Sequence, residues 1–150
     1  VSPDVLDTMI GSREAASDPQ AAVQHYTSAL ESEANGEREV AIDQLRKATD
    51  CDDNPEHHFK LAYLLDLVGE EDESMSIYEQ ICEGERPHMN ALLNLAVLYE
   101  DRGEIADAEK CLRQILDTAP NHWRALAFMK DVQASRNMYY DEEQARDMAK

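Results

Sequence analysis

The sequence is poor in the features that membrane, redox and phosphate chemistry require. No apolar run approaches the ~20 residues that span a bilayer, and no secretory leader is visible. Basic residues are scarce, 14 against 32 acidic ones, for a formal net charge of −18. That sign opposes contact with nucleic-acid phosphates and with anionic membranes, both of which need clustered Lys and Arg. It permits a basic protein partner and favours fast encounter with one, and it also fits plain solubility. The cysteines number three (Cys51, Cys82 and Cys111) and form no CxxC pair. An odd, scattered set argues against disulfides and for a reducing compartment, so a cytoplasmic location is expected and the thiols read as small buried hydrophobes. The five glycines build no phosphate-cradling loop.

Catalytic constellations are equally thin. No Ser/His/Asp or Cys/His set sits on a scaffold that would pin it. Glu70-Glu71-Asp72-Glu73 reads as a solvated run opening a helix, where negative charge suits the macrodipole. A catalytic carboxylate pair needs one member in an apolar pocket, and nothing here points to that. His57-His58, His88 and His122 invite a metal reading. Yet His88 and His122 occupy equivalent positions one period apart, and neighbouring helices lie about 8–10 Å apart, too far for a shared zinc with ligands at about 2 Å. Turn histidines near helix starts are the better account. No catalysis, no metal and no cofactor are expected.

What the sequence does have is a period. Gly36, Gly69 and Gly103 recur at spacings of 33 and 34 residues, and Asn137 continues the series. Each carries the same apolar neighbourhood. In Met89–His122 this reads Leu92, Leu95, Ala96 and Tyr99, then Gly103, then Ala108, Leu112 and Ile115, then Pro120. Pro55–His88 repeats it with Leu61, Ala62, Leu65, Gly69, Ser74, Tyr78 and Ile81. Ala22–Asn54 repeats it with Ala29, Gly36, Ala41, Leu45 and Ala48, one residue short in the turn before Pro55, where a deletion leaves helix faces unrotated. The small residues let paired helices approach closely, here Ala96 against Ala108. From Trp123 the frame persists in Leu126 and Met129 but weakens, with Lys130, Gln133 and Glu142 at positions that call for small or large apolar residues.

Asp18-Pro19 and Asn54-Pro55 are N-cap and first-turn proline pairs, and Pro87 and Pro120 mark two more entries. These signals place helices at about 19–34, 38–51, 55–68, 71–83, 87–101, 105–118, 121–136 and 139–149. Ser2-Pro3-Asp4 is able to open a further short helix through Ile10, ended by Gly11. The chain starts at Val1 and stops at Lys150 within a helical pattern, which reads as a piece of a longer protein.

The pattern of large, large-small, large on a first helix, small then large on a second, and proline at the exit resembles the tetratricopeptide repeat. The resemblance implies an all-α fold: a right-handed α-solenoid of helix-turn-helix repeats, three full and a degenerate fourth. An N-terminal extension would cover 1–18 and the repeats 19–150, at about 22–54, 55–88, 89–122 and 123–150. Terminal repeats are expected to be atypical, because one side faces water.

In that family the first helices line a concave face. The resemblance implies groove positions at Tyr26, Leu30, Phe59, Tyr63, Leu93 and Val97, one apolar pair per repeat, with Phe128 adding an aromatic. Lys60, Asn94 and Arg124 frame this stripe; Glu33, Asp66, Glu100, Asp101 and Asp131 form an acidic edge. The family's carboxylate-clamp mode uses Lys, Asn, Asn, Lys and Arg across three repeats. Aligned on the last three repeats, Asn94 and Arg124 alone fit, so chaperone-tail binding is not expected. The expected function is a non-catalytic interaction scaffold binding a helical or extended apolar segment of a protein or peptide, with basic character suited to the acidic edge. Filling of the groove by the chain's own Ser2–Ile10 helix, by a segment of a longer protein outside this stretch, or by a second copy in a self-associating homo-oligomer, stays open.

The last stretch, Asn137-Met138-Tyr139-Tyr140-Asp141-Glu142-Glu143-Gln144, resembles a junction in certain bacterial proteins. There, tetratricopeptide repeats precede a module similar to the C-terminal domain of the RNA polymerase alpha subunit. This resemblance implies an alternative: the repeat half of a transcription-associated protein, with nucleic-acid contact left to the other half.

Overall fold

The structure, a computed structural model, describes residues 16–84 and 86–150. The helix expected within Ser2–Ile10 lies outside them. Seven helices appear among the described residues: α1 (Pro19–Ala34), α2 (Arg38–Cys51), α3 (Pro55–Leu67), α4 (Glu71–Cys82), α5 (Met89–Asp101), α6 (Ile105–Thr118) and α7 (Trp123–Met148). No strand occurs there. None of these helices is long and apolar enough to cross a membrane. The all-α class and the hairpin punctuation expected from the period are the ones observed.

The periodic glycines close the first helix of each hairpin in one way. Gly36, Gly69 and Gly103 have φ of 80°, 87° and 76°. Each glycine N–H donates to the carbonyl three residues back (Glu33, Asp66, Glu100), and the next N–H donates to the carbonyl five back (Ser32, Leu65, Tyr99). This is the Schellman arrangement, in which the residue after the cap must take a left-handed conformation. Glycine adopts it at little cost.

Helix entries follow the sequence less closely. Asp18 Oδ1 accepts from the Ala21 N–H at 3.1 Å, and Asn54 Oδ1 accepts from the Glu56 N–H at 3.0 Å. The entries expected at 87 and 121 lie two residues later, because His88 and His122 are themselves the N-caps. Their Nδ1 atoms accept from Ala91 and Ala125 N–H at 3.1 and 3.2 Å. The short link Asp52–Asn54, against six residues between α4 and α5, is where the first repeat loses its residue.

The chain divides into two compact units, the boundary falling inside α3 between Leu64 and Leu65. In the first, α1 packs on α2, and the Asp18 N–H donates to the Cys51 carbonyl at 2.7 Å, joining the start of one helix to the end of the other. Ala22, Ala29, Ala41, Leu45, Ala48 and Ala62 are fully or almost fully buried. In the second, α5 packs on α4 and α6, and α6 on α7. Its core holds Tyr78, Leu92, Leu95, Leu112, Ile115 and Val132, with Ser74, Ala96 and Ala108 as buried small residues between the helices.

The expected break at Asn137 does not form. The two helices expected at 121–136 and 139–149 are a single α7 of 26 residues. The period supplies Asn137 at the turn position but no apolar return beyond it. Every residue from Arg136 onward is exposed, so nothing drives the chain back onto α6, while Glu142, Glu143, Gln144, Ala145 and Arg146 are good helix formers that extend the helix already started.

Candidate protein-binding surface

In the first unit the candidate residues come from α1 and α3. Leu30 and Tyr63 are each 39 % exposed, while Tyr26 and Phe59 are half-buried. Tyr26 stacks on His57, ring centroids 4.4 Å apart and planes 25° apart, which fastens the start of α3 to α1. Lys60 reaches Glu33 with Nζ to Oε2 at 2.6 Å and lies over the Tyr63 ring at 5.5 Å from its centroid. The structure thus brings together Lys60, Tyr63 and Glu33, an apolar ring rimmed by one satisfied ion pair.

In the second unit Val97 is 43 % exposed and Leu93 half-buried on α5. Asn94 is half-buried, and its Nδ2 donates to the Tyr78 hydroxyl at 3.1 Å, so its amide serves a fully buried tyrosine. On α7, Phe128 is half-buried and Arg124 exposed, its guanidinium 5.3 Å from the Trp123 ring centroid. The acidic edge is partly committed: Glu100 accepts from Ser135 Oγ at 3.4 Å. Asp66 has its pKa raised, first by burial and then by the like charges of Glu71 and Asp101.

Several features were not legible beforehand. His57 is not a capping residue like His88 and His122; it is 4 % exposed, and its Nδ1 has no hydrogen-bond partner. Burial lowers its pKa, Asp52 and Glu56 opposing and His58 assisting the shift. Glu109, next to Ala108, is 3 % exposed. Arg136 Nη1 bonds both its oxygens at 3.1 and 3.2 Å, and Arg113 Nη2 bonds Oε2 at 3.1 Å. The i,i+4 spacing of Glu109 and Arg113 was the one available signal. The acidic run that opens α4 is exposed or half-buried, and its Glu71 and Asp72 both hold Arg102.

Of the thiols, Cys111 is buried as expected, but Cys51 and Cys82 are half-buried. Cys82 and Cys111 line a cleft of about 420 Å³ floored by Leu92, Leu95 and Tyr99. Burial pushes the two thiols up to about 11 and about 12, which leaves them protonated and poorly nucleophilic at neutral pH. Among the described residues no group of three or more His, Cys, Asp or Glu side chains is placed to hold a metal.

Comparison with known proteins agrees with this geometry. The family profile described as "Tetratricopeptide repeat" matches residues 68–130. Residues 68–130 thus resemble the tetratricopeptide repeat. No curated protein matches the sequence. The first tetratricopeptide domain of Spaghetti (RPAP3), solved with the HSP90 peptide SRMEEVD, superposes with a TM-score of 0.74 at 18 % identity, over 82 % of this chain and 98 % of that one. A tetratricopeptide repeat protein from Parabacteroides merdae gives 0.73 at 21 % identity, over 83 % of this chain and 50 % of the other. YrrB, described as having an unusual peptide-binding site, gives 0.64 at 23 % identity, over 73 % and 57 %. At these identities the likeness is one of fold.

Proposed function

We propose that this tetratricopeptide-repeat chain is a non-catalytic interaction scaffold that recognises a helical or extended apolar segment through the first helices of its repeats. The observation that carries the reading is the treatment of those helices. In α1, α3 and α5 a large apolar residue outside the buried set is kept in water, Leu30, Tyr63 and Val97 in turn. Each stands four residues after a half-buried apolar partner, Tyr26, Phe59 and Leu93. Isolated exposed apolar residues are ordinary; here the same pair of positions recurs in three successive repeats. The acidic surroundings and the net charge of −18 favour a segment with basic flanks.

The fold neighbour that holds SRMEEVD raises the acidic-tail alternative. Here Phe59 and Tyr63 stand at two clamp positions and Phe128 at another, Asn94 is engaged by Tyr78, and Arg124 alone is exposed. An acidic C-terminal peptide is therefore a poor fit. The test uses two peptide probes by fluorescence anisotropy, SRMEEVD and a Leu-rich peptide with Lys flanks. The Leu-rich probe is expected to bind and to weaken about tenfold or more in Phe59→Ala/Tyr63→Ala, with the far-UV circular dichroism unchanged. Preference for SRMEEVD, or a double variant that unfolds without selective loss, would defeat the proposal.

A further inference from the structure

The end of the second unit holds a seat that no described element fills. Between the start of α6 and the later part of α7 lies a cleft of about 540 Å³. Its apolar lining comes from Ile105, Tyr139 and Tyr140, and the two tyrosines are 61 % and 55 % exposed. This is where a second helix of the fourth hairpin would begin if the chain turned at Asn137. Because α7 continues straight, the place stays open among the described residues and the two rings beside it stay in water.

Charge decides the guest. Glu104, Asp107 and Glu143 line the same cleft. None of them takes part in an ion pair among the described residues, whereas the cleft's one basic side chain, Arg136, is already spent on Glu109. Three uncompensated carboxylates around an aromatic floor repel an acidic guest, and they repel a second copy of a chain carrying −18. We infer that this cleft docks an amphipathic helix of a partner protein, with an apolar stripe against Tyr139 and Tyr140 and Lys or Arg residues toward Glu104, Asp107 and Glu143. The helix-in-groove mode needs only a stripe at i, i+3, i+4 and i+7. This surface is separate from the first-helix faces, and it stands whether or not they bind anything.

The probe is a fluorescein-labelled helical peptide of Leu and Lys with such a stripe. Its controls are a same-composition peptide with the stripe scrambled and a version with Glu in place of Lys. The expected result is binding of the striped basic probe alone, weakened about tenfold or more by Tyr139→Ser/Tyr140→Ser, which alters exposed rings and is checked by circular dichroism. Glu104→Lys/Glu143→Lys should transfer preference to the Glu version. Phe59→Ala/Tyr63→Ala, which removes any share bound by the first-helix faces, should leave the Tyr139/Tyr140-dependent component unchanged. Equal binding of the scrambled peptide would reduce the effect to general electrostatics and overturn the inference. So would loss in the Phe59/Tyr63 variant instead of the Tyr139/Tyr140 variant. Sedimentation showing a dimer that Tyr139→Ser/Tyr140→Ser dissociates would overturn it too, by seating a second copy there.

Discussion

Removing Arg136 should cost far more than neutralising its partner. Glu109 is 3 % exposed, while the Arg136 and Arg113 side chains that hold it are 48 % and 65 % exposed. Arg136→Ala leaves a carboxylate out of water with one remaining donor, Arg113, on Oε2 alone. Each charge-assisted bond lost is worth about 1.5–3 kcal/mol in general, and breaking a buried pair costs about 3–5 kcal/mol when both ions are buried. The half-exposed guanidinium lowers that figure, so about 2–3 kcal/mol is expected. Glu109→Gln keeps the shape and most hydrogen bonds, and the arginines it releases return to water; about 1 kcal/mol or less is expected. Because Arg136 is on α7 and Glu109 on α6, the loss should be felt in how α7 is held. Urea unfolding of the single and double variants, followed by circular dichroism at fixed pH and ionic strength, gives the coupling as a double-mutant cycle. A cost for Glu109→Gln equal to or above that for Arg136→Ala would refute the reasoning, for it would mean that the pair stabilises as an ion pair and not by protecting a buried acid.

Two further outcomes follow from the same structure. Gly103→Ala should cost about 1–2 kcal/mol through the left-handed backbone alone, since φ is 76° and a Cβ there meets no atom within 4 Å; Gly103→Asn should recover part of that in the same urea assay, and a neutral alanine would show that the turn relaxes. His57 should make stability fall in mild acid: its folded-state pKa lies below the ordinary value of 6.5, so the neutral form is favoured by folding. The contribution is whole above that ordinary value and is lost as the pH falls through the lower, folded one. The urea midpoint of the wild type should therefore drop more between pH 7 and pH 5 than that of His57→Gln, and parallel curves would show that His57 is not the group responsible.

The hairpins were legible because one constraint was repeated. A closing glycine and a small residue at each helix crossing leave marks on residue type that need no knowledge of the partner helix. Helix starts were less legible because histidine can stand where Ser, Thr, Asp or Asn usually caps. His88 and His122 do so through Nδ1, and only the structure separates them from His57, which has the same side chain and an opposite environment. Leu30, Tyr63 and Val97, groove positions that only the family resemblance implies, are exposed side chains. By contrast, Tyr26 and Asn94 are tied to His57 and Tyr78, contacts between helices that no spacing along one helix can reveal.

The largest departure, the straight α7, comes from a competition that the period alone cannot decide. Asn137 marks where a turn was affordable, but a turn forms only if the segment beyond it gains by packing back. That segment offers Tyr139 and Tyr140 at its start and then Asp141, Glu142 and Glu143. Beyond Tyr140 it has little apolar surface to bury by packing back, and helix propensity favours going straight on. Arg136 settles the geometry at the branch: it is bound to Glu109 in the last turn that still packs, so α7 leaves the bundle on a fixed axis. The straight course of α7 thus leaves Tyr139 and Tyr140 beside Glu104, Asp107 and Glu143, the combination that the inferred basic helix would cover.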